Sequence, residues 1–353
     1  MSKTIVLENS LKKTAWSGTT KKNLKNVLRP AALMTLNILA WSERKLWPEV
    51  KLHYSPVFIV APPRSGTTLL YQLMTGHLST CYFTNLAAKL SIGGGCAPPI
   101  LSAKLGKLLR LKRSQSGAFE SYYGLAKGLG GPHEAHAIWD QRFPEEKHAI
   151  PSGYLSADDR WVIYRAVASI ERVFDRPFVN KCIRNSVRIE ALAEIFPTAI
   201  FIQCTRDRLD MAQSIFIART QAFPFQNSEA RDPLKFWFSV KPREYEMIKR
   251  KGLIEQVCEQ MYYVERSIAA ARDALGQDRF LLIDYKDLCQ APRCEIDKVV
   301  SFMNEHHAPT QVINPLPDSF PYSTGQKIDQ DSYVGIAHYL SQLYGRPIED
   351  SQA

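Results

Sequence analysis

Residues 57–74, VFIVAPPRSGTTLLYQLM, constrain the fold of this 353-residue chain more than any other stretch. A short apolar run leads into a turn rich in Pro, Gly, Ser and Thr, and apolar residues at helical spacing follow it. This pattern predicts a buried strand, a tight loop, and a helix from about Thr67 to His77. Because the first amides of a helix have no partners within the helix, such a loop is suited to bind a phosphate.

The loop differs in composition from the GxxxxGK[ST] loop of nucleotide hydrolases, in which a lysine neutralises phosphate charge and a hydroxyl holds magnesium. Here Ala61 replaces the first glycine, Thr67 stands at the lysine position, and the cation is Arg64 inside the loop. Without the lysine, we do not expect the loop to bind a magnesium-bridged pair of phosphates. The predicted phosphate contacts are Arg64, Ser65, Gly66, Thr67 and Thr68.

Buried strands and helices alternate along the rest of the chain. Further strands are predicted at PFVNKC, AIFIQCTR and RFLLIDYKDL, and helices at SVRIEALAEIFP, LIEQVCEQMYYVERSIAAARDAL and CEIDKVVSFMNEH. Ser156 and Asp158 are candidate caps of a helix in SADDRWVIYRAVASIERVF, and a polar tail is expected to close the chain. The alternation predicts an α/β protein whose mostly parallel central sheet is flanked by helices.

We divide the chain into a helical N-terminal extension, residues 1–52, and a single domain, residues 53–353, with a variable segment at about 218–252. The formal charge of +10 and the pI of about 9.2 favour an anionic partner. The basic residues are not arrayed with stacking aromatics and no nucleic-acid-binding motif occurs, so we do not expect a nucleic acid. We see no secretory signal, and the expected location is the cytoplasm. Seven irregularly spaced cysteines predict buried thiols.

The segment RPAALMTLNILAWSERK forms the most apolar part of the N-terminal extension. It is too short to span a bilayer. Lys21, Lys22, Lys25 and Arg29 lie in or just before it, which is typical of a basic amphipathic helix. We expect this helix to pack against the main domain, and contact with a membrane surface is the alternative.

The motif PPRSGTTLL resembles the 5′-phosphosulfate-binding loop of sulfotransferases that use 3′-phosphoadenosine 5′-phosphosulfate (PAPS). A second motif, FIQCTRDRLDMAQSIF, places Arg206 at a strand end and Ser214 eight residues later, and resembles the family's 3′-phosphate site. The strand with Lys181 and the segment RFLLIDYKDLCQAP are also similar, so the resemblance covers about residues 56–305. It implies a P-loop NTPase-like fold, PAPS as the sulfate donor, adenosine 3′,5′-bisphosphate (PAP) as the product, and no metal.

Cytosolic small-molecule sulfotransferases carry a catalytic histidine two residues after that lysine, where this chain has Ile183. It is therefore more similar to the branch that includes tyrosylprotein sulfotransferases and many bacterial enzymes, where a glutamate is the base. Glu134, in GLGGPHEAHAIW, is the leading candidate for the base, with His133 and Glu120 as alternatives. His136 is expected to be structural.

The resemblance implies in-line transfer of a sulfuryl group to a hydroxyl or amine of an unidentified small-molecule or carbohydrate acceptor. Lys181 and Arg64 would stabilise the charge on the transferred group, and Ser323 and Lys327 are candidate late contacts to donor phosphate. Two alternatives remain: a P-loop kinase, and a non-catalytic protein that binds a nucleotide or a nucleic acid. Candidate aromatic residues of the acceptor pocket are Tyr122, Tyr123, Phe223 and Trp237.

Overall fold

The computed structural model describes residues 34–90, 99–111, 121–122, 125–126, 128–144, 146–222, 234 and 237–345. Three of the candidate residues, Glu120, Tyr123 and Phe223, lie outside these ranges. The basic residues that precede position 34 in the sequence also lie outside them. Among the described residues, no helix combines the length and apolarity needed to cross a bilayer.

Four parallel strands form the central sheet in the order β4-β1-β5-β6, which confirms the predicted fold class. Their bounds are β1 Val57–Val60, β4 Val179–Lys181, β5 Ile200–Thr205 and β6 Phe280–Asp284. In this register β1 pairs Ile59 with Lys181 of β4 on one side and with Ile202 of β5 on the other. A separate antiparallel hairpin consists of β2 (Ser121–Tyr122) and β3 (Leu125–Ala126).

The strand β1 is buried on both faces, which explains its unbroken apolar sequence. Phe58 belongs to a core cluster on one face, where its ring meets Trp139 and Phe201 at centroid distances of 6.1 and 6.0 Å. Val57 and Ile59 belong to the cluster on the other face, together with side chains of the helix that follows the loop. Because helices cover both faces of the sheet, polar functional side chains are expected at the edge where the strands end.

Helices surround this sheet. Their bounds are α1 34–46, α2 Thr67–His77, α3 Asn85–Leu90, α4 Pro99–Leu111, α5 His136–Trp139, α6 Ala157–Phe174, α7 Ile189–Ile195, α8 Arg208–Ile217, α9 Tyr245–Ile248, α10 Leu253–Leu275, α11 Tyr285–Gln290, α12 Pro292–Glu305 and α13 Gln330–Tyr344. A 3₁₀ segment, Ile183–Val187, follows β4, and a π-helical turn, Ala218–Ala222, extends α8. The predicted cap of α6 is confirmed, because Ser156 Oγ accepts a hydrogen bond from the Asp159 amide at 3.1 Å.

The expectation of a polar tail after α12 is wrong, because α13 is a helix of 15 residues. Asp329 caps it by accepting a hydrogen bond from the Ser332 amide at 2.9 Å. Ile336 and Leu340, four residues apart, are buried in a cluster with side chains of α8 and α10. The signal was present as a capping aspartate before apolar residues at helical spacing.

The predicted strand RFLLIDYKDL is shorter than expected, because β6 ends at Asp284. The Asp284 carboxylate accepts a hydrogen bond from the Lys286 amide at 2.8 Å, and α11 begins with Tyr285. The cysteines of the described part are free thiols; Cys81, Cys182, Cys204, Cys258 and Cys289 are buried and Cys294 is exposed.

Candidate active site

The carboxyl ends of the four parallel strands lie at one edge of the sheet, and each is followed by a residue type suited to charge chemistry. The phosphate-loop segment follows β1, Lys181 ends β4, Arg206 follows β5, and Tyr285 follows β6. Segments far apart in the sequence therefore meet here, as expected for an open α/β sheet.

Gly66 shapes the loop at the start of α2. Its backbone has a φ of +83°, and a Cβ at this position would lie 2.0 Å from the ring of Tyr285. Only glycine combines that conformation with that contact. The first turn of α2 has neither a side-chain cap nor an acidic residue, so its amides suit an anion.

The rest of the loop is held by short contacts. Ser186 Oγ accepts a hydrogen bond from the Ala61 amide at 2.9 Å. Ser65 is fully buried and its hydroxyl donates to the Pro62 carbonyl at 2.8 Å. Any contact of Ser65 with an anion would therefore come from its amide. Arg64 has a φ of +71°, a strained conformation that functional loops often contain.

The predicted partners from α8 reach this loop. Arg64 Nε donates to Ser214 Oγ at 2.8 Å. Arg206 donates to the Arg64 carbonyl at 3.2 Å and to the Ser323 carbonyl at 2.7 Å. The buried Arg206 Nε finds no hydrogen-bond acceptor within the described part of the chain. A buried donor without an acceptor is costly, and its place at the sheet edge makes this nitrogen a candidate contact for an anionic ligand.

Asp210 lies between two cations, and sequence reasoning missed it. Its carboxylate is 3.8 Å from an Arg206 nitrogen and 3.5 Å from Lys327 Nζ. Lys327 also donates to the Ser323 carbonyl at 3.1 Å, so the structure brings the C-terminal candidates to Arg206. Tyr285 was missed as well, and its ring centre lies 4.7 Å from the Arg206 guanidinium. The sequence could have indicated Tyr285, because it lies toward the carboxyl end of a predicted strand and residues at that position lie at the carboxyl edge of the sheet.

Glu134 lies between Lys181 and His136. Lys181 Nζ donates directly to Glu134 Oε1, and His136 Nε2 lies 3.1 Å from Glu134 Oε2. Burial alone would raise the pKa of the Glu134 carboxyl, but the charge of Lys181 and the hydrogen bond from His136 lower that pKa to about 2. Glu134 is therefore ionised at neutral pH and faces a cation.

His136, which we expected to be structural, touches the candidate base. Its Nδ1 lies 3.4 Å from Cys182 Sγ, and the Cys182 sulfur together with Glu134 raises the pKa of His136. Glu134, His136 and Cys182 offer ligand atoms within 4.8 Å of one another. However, His136 faces Glu134 with Nε2 and Cys182 with Nδ1, and Lys181 donates to Glu134, so each of the three groups has a hydrogen-bond partner. The arrangement fits a hydrogen-bonded chain better than a metal centre.

His133 is less suited to be the base than Glu134. Its Nδ1 accepts a hydrogen bond from the Ala135 amide at 2.7 Å. Burial, and next the charge of His136, lower the pKa of His133. Because Nδ1 accepts the hydrogen bond from Ala135, the neutral ring carries its proton on Nε2 and has no free lone pair to take a proton from an acceptor. The backbone here is fixed, because Trp139 Nε1 donates to the Glu134 carbonyl at 3.1 Å.

Among the acceptor-side candidates, Trp237 is tied to the domain. Its Nε1 donates to the Val240 carbonyl at 3.0 Å, and its ring packs edge-on against Tyr245 at 4.7 Å. The Arg219 guanidinium lies 5.3 Å from the ring centre. These contacts favour packing of Trp237 against the domain over a place in the acceptor pocket.

The fold and this edge define an α/β protein with an anion-binding loop, and the sequence identifies its family. The profile of the sulfotransferase family matches residues 56–309, most of the chain. The chain therefore belongs to the sulfotransferase family, which confirms the resemblance, and the protein is a sulfotransferase that transfers a sulfuryl group.

Solved structures of sulfotransferases are similar to this chain. Sulfotransferase STF9 from Mycobacterium avium has a TM-score of 0.50 at 16% identity, over 87% of this chain and 74% of that chain. Sulfotransferase STF1 from Mycobacterium tuberculosis H37Rv has 0.44 at 15%, over 86% and 77%. The sulfotransferase domain from the curacin biosynthetic pathway has 0.39 at 18%, over 71% and 74%. No curated protein matches the sequence significantly.

Proposed function

We propose that this sulfotransferase transfers the sulfuryl group of PAPS to a hydroxyl or amine of a small-molecule or carbohydrate acceptor. The observation that carries the proposal is the convergence of Arg64, Arg206 and Lys181 at the edge where the loop opens. Three fixed cations at a loop without the magnesium-associated lysine suit an anionic donor with separate 5′ and 3′ groups.

The residues at the edge divide into two binding regions for this donor. The first amides of α2 and the hydroxyls of Thr67 and Thr68 would hold the 5′-phosphate. Arg206 and Ser214 would hold the 3′-phosphate, and the fit rests on the buried Arg206 Nε that has no acceptor. When bound, PAPS supplies an activated sulfuryl group whose bridging oxygen leaves with the bisphosphate.

Lys181 and Arg64 would stabilise the negative charge that transfer spreads over the sulfuryl group and the leaving oxygen. Glu134 would accept the proton of the attacking hydroxyl or amine. A carboxylate with a pKa of about 2 is a weak base, and Lys181 is a main reason for that low value. If Lys181 turned toward an anionic donor, its hold on Glu134 would weaken and the pKa of Glu134 would rise. Donor binding would then activate the base.

Calorimetric titration of the full chain with adenosine 3′,5′-bisphosphate tests the donor assignment, with ATP and 5′-AMP as controls. We expect metal-independent binding that requires the 3′-phosphate. A preference for magnesium-ATP would favour a kinase-like activity. Salt-sensitive RNA binding that the bisphosphate does not displace would favour a nucleic-acid-binding role. Either of these two results would overturn the proposed donor. If the bisphosphate binds as expected, an assay with labelled PAPS and a panel of acceptors tests transfer itself.

A further inference from the structure

Two neighbouring helices, α1 and α4, expose apolar side chains in regular stripes. On α1 these are Met34, Ile38 and Trp41, with Ile38 53% and Trp41 60% exposed. On α4 they are Leu101, Leu105 and Leu108, all exposed. Both stripes have the spacing of one helix face. We call these six residues the α1–α4 face. Soluble monomers seldom expose this many large apolar side chains on two neighbouring helices without a partner.

The opposite side of the same helices is well packed, so the face is presented by an ordered scaffold. Glu43 is 4% exposed and caps α4 by accepting hydrogen bonds from the amides of Ile100 at 2.9 Å and Leu101 at 3.0 Å. Arg165 of α6 donates to the Trp47 carbonyl at 2.6 Å. α1 therefore packs against the main domain with one face, as expected, and leaves its apolar stripe outward.

Lysines of the described residues lie on both helices of this face. Lys45 Nζ lies 6.0 Å from the centre of the Trp41 ring, and Lys104 Nζ lies 5.5 Å from that of Trp47. In the sequence, residues 1–46 contain nine Lys or Arg and two Glu, and residues 99–113 contain five Lys or Arg and no acid. The net charges of the two segments are therefore +7 and +5, which together exceed the formal net charge of +10 of the whole chain. The rest of the chain is close to neutral. Residues 1–33 and 112–113 of these segments lie outside the described ranges.

We propose that the α1–α4 face docks on an anionic lipid bilayer. Apolar side chains, an exposed tryptophan and flanking lysines are the combination that binds the interface of a charged membrane. A second copy of the chain is a poorer occupant, because two basic faces would repel each other. This interaction is independent of the proposed donor and goes beyond it.

A cleft beside the face also suits a lipid environment. Side chains of α1, α4 and α6 line it together with Phe83 and Ile138, and its lining is mostly apolar. Ile138 belongs to α5, which begins two residues after Glu134. A bilayer seated on the α1–α4 face would therefore adjoin a cleft that reaches the helix next to the candidate base.

Co-sedimentation of the full chain with vesicles tests the proposal. We expect binding to vesicles of phosphatidylglycerol and phosphatidylcholine in equal parts, weak binding to pure phosphatidylcholine, and loss of binding as salt is raised. Ile38→Ser with Trp41→Ser should weaken binding by about tenfold or more. The matched control is Met247→Ser with Val334→Ser, which removes two exposed apolar side chains elsewhere and should leave binding unchanged.

Charge reversal provides the second, independent pair of variants. Lys45→Glu with Lys104→Glu should lower affinity for the anionic vesicles by about tenfold or more, whereas Arg243→Glu with Arg250→Glu should have little effect. Thermal melts check that each variant folds. The proposal is overturned if the wild type does not bind the vesicles, or if the face variants bind as well as the wild type. It is also overturned if sedimentation velocity shows a wild-type dimer that the Ile38 and Trp41 variant dissociates.

Discussion

Two carboxylates at the carboxyl edge of the sheet, Glu134 with a side chain 14% exposed and the buried Asp210, each lie between two cationic side chains, and the two arrangements differ. Glu134 touches Lys181 directly and lies 3.1 Å from His136, and its pKa falls to about 2. Asp210 lies 3.8 Å from Arg206 and 3.5 Å from Lys327. The cations around Asp210 bond mainly to backbone carbonyls, so their charge remains available to an incoming phosphate.

From this difference we infer separate roles for the two groups, proton transfer at Glu134 and donor binding around Asp210. In the proposed mechanism, the close pair of Glu134 and Lys181 would keep the base ionised and paired until an anionic donor drew Lys181 away. The looser group around Asp210 keeps two cations in position, and one of them still has a buried donor to offer. We therefore expect changes at Glu134 to affect turnover and changes at Arg206 to affect donor affinity.

The largest expected effect is that of Glu134→Gln. Removing the base should lower turnover by about 100-fold or more while donor affinity is retained. Steady-state rates with labelled PAPS and calorimetry with the bisphosphate measure the two quantities. Because the change also removes the counter-charge of Lys181, a thermal melt should accompany it. Unchanged turnover would move the base to His133 or Glu120.

Next in size is Arg206→Ala. Loss of the 3′-phosphate contact should weaken bisphosphate binding by about 2–4 kcal/mol, and binding of 5′-AMP should change little. Arg208→Ala is the matched control, because Arg208 is half exposed and pairs with Glu265 instead. Equal affinities of wild type and Arg206→Ala for the bisphosphate would remove this assignment.

A smaller effect is expected from Lys327→Ala, because Lys327 is partly exposed and reaches the site through Asp210. Bisphosphate affinity should fall by about 1 kcal/mol. Lys298→Ala, which removes an exposed lysine of α12, serves as the control in the same titration. If Lys327→Ala lowered bisphosphate affinity as much as Arg206→Ala does, the proposal that Arg206 contributes more than Lys327 would be wrong.

Glu171 is a buried carboxylate of a third kind. It accepts hydrogen bonds from the amides of His53 and Tyr54 and has no cationic partner among the described hydrogen bonds and ion pairs. Burial raises the pKa of Glu171 to about 7 from an ordinary value of 4.5. The folded protein therefore binds a proton that the unfolded chain releases between about pH 4.5 and 7, and stability falls as pH rises through that window.

Glu171→Gln cannot ionise, so its stability relative to the wild type should rise by about 1–2 kcal/mol between pH 5 and 8. Denaturant unfolding at several pH values measures this change, with the exposed Glu305→Gln as control. A difference that does not vary with pH would contradict the raised pKa.

Much of the fold and the site could be predicted from the sequence because the relevant signals are local. The loop before α2 has its own turn chemistry, and the helix begins at Thr67 as expected. Arg206 lies just before α8 and Ser214 lies eight residues later on that helix, about two helical turns on, and this spacing predicted that both reach one phosphate. The helix α13 was missed although its cap and apolar spacing were present, because the segment before it is polar.

The environment of each charge could not be predicted. Glu134 and Lys181 are 47 residues apart, and they meet because the loop before α5 packs against the end of β4, where Asn180 Nδ2 also donates to the Glu134 carbonyl at 3.5 Å. Arg206 meets the Ser323 carbonyl across 117 residues. His136 resembled a structural residue in the sequence, since nothing local indicated that Glu134 and Cys182 would lie on its two sides.

The sequence by itself determined the class of fold, the anion-binding loop and the family, because strands, turns and helix starts depend on neighbouring residues and on hydrophobic periodicity. Only the tertiary structure decided which carboxylate faces which cation, how far each pKa moves, and which stripe of α1 stays uncovered. Those properties depend on distances and burial between residues remote in the chain, and electrostatic and hydrophobic free energies are functions of distance and burial.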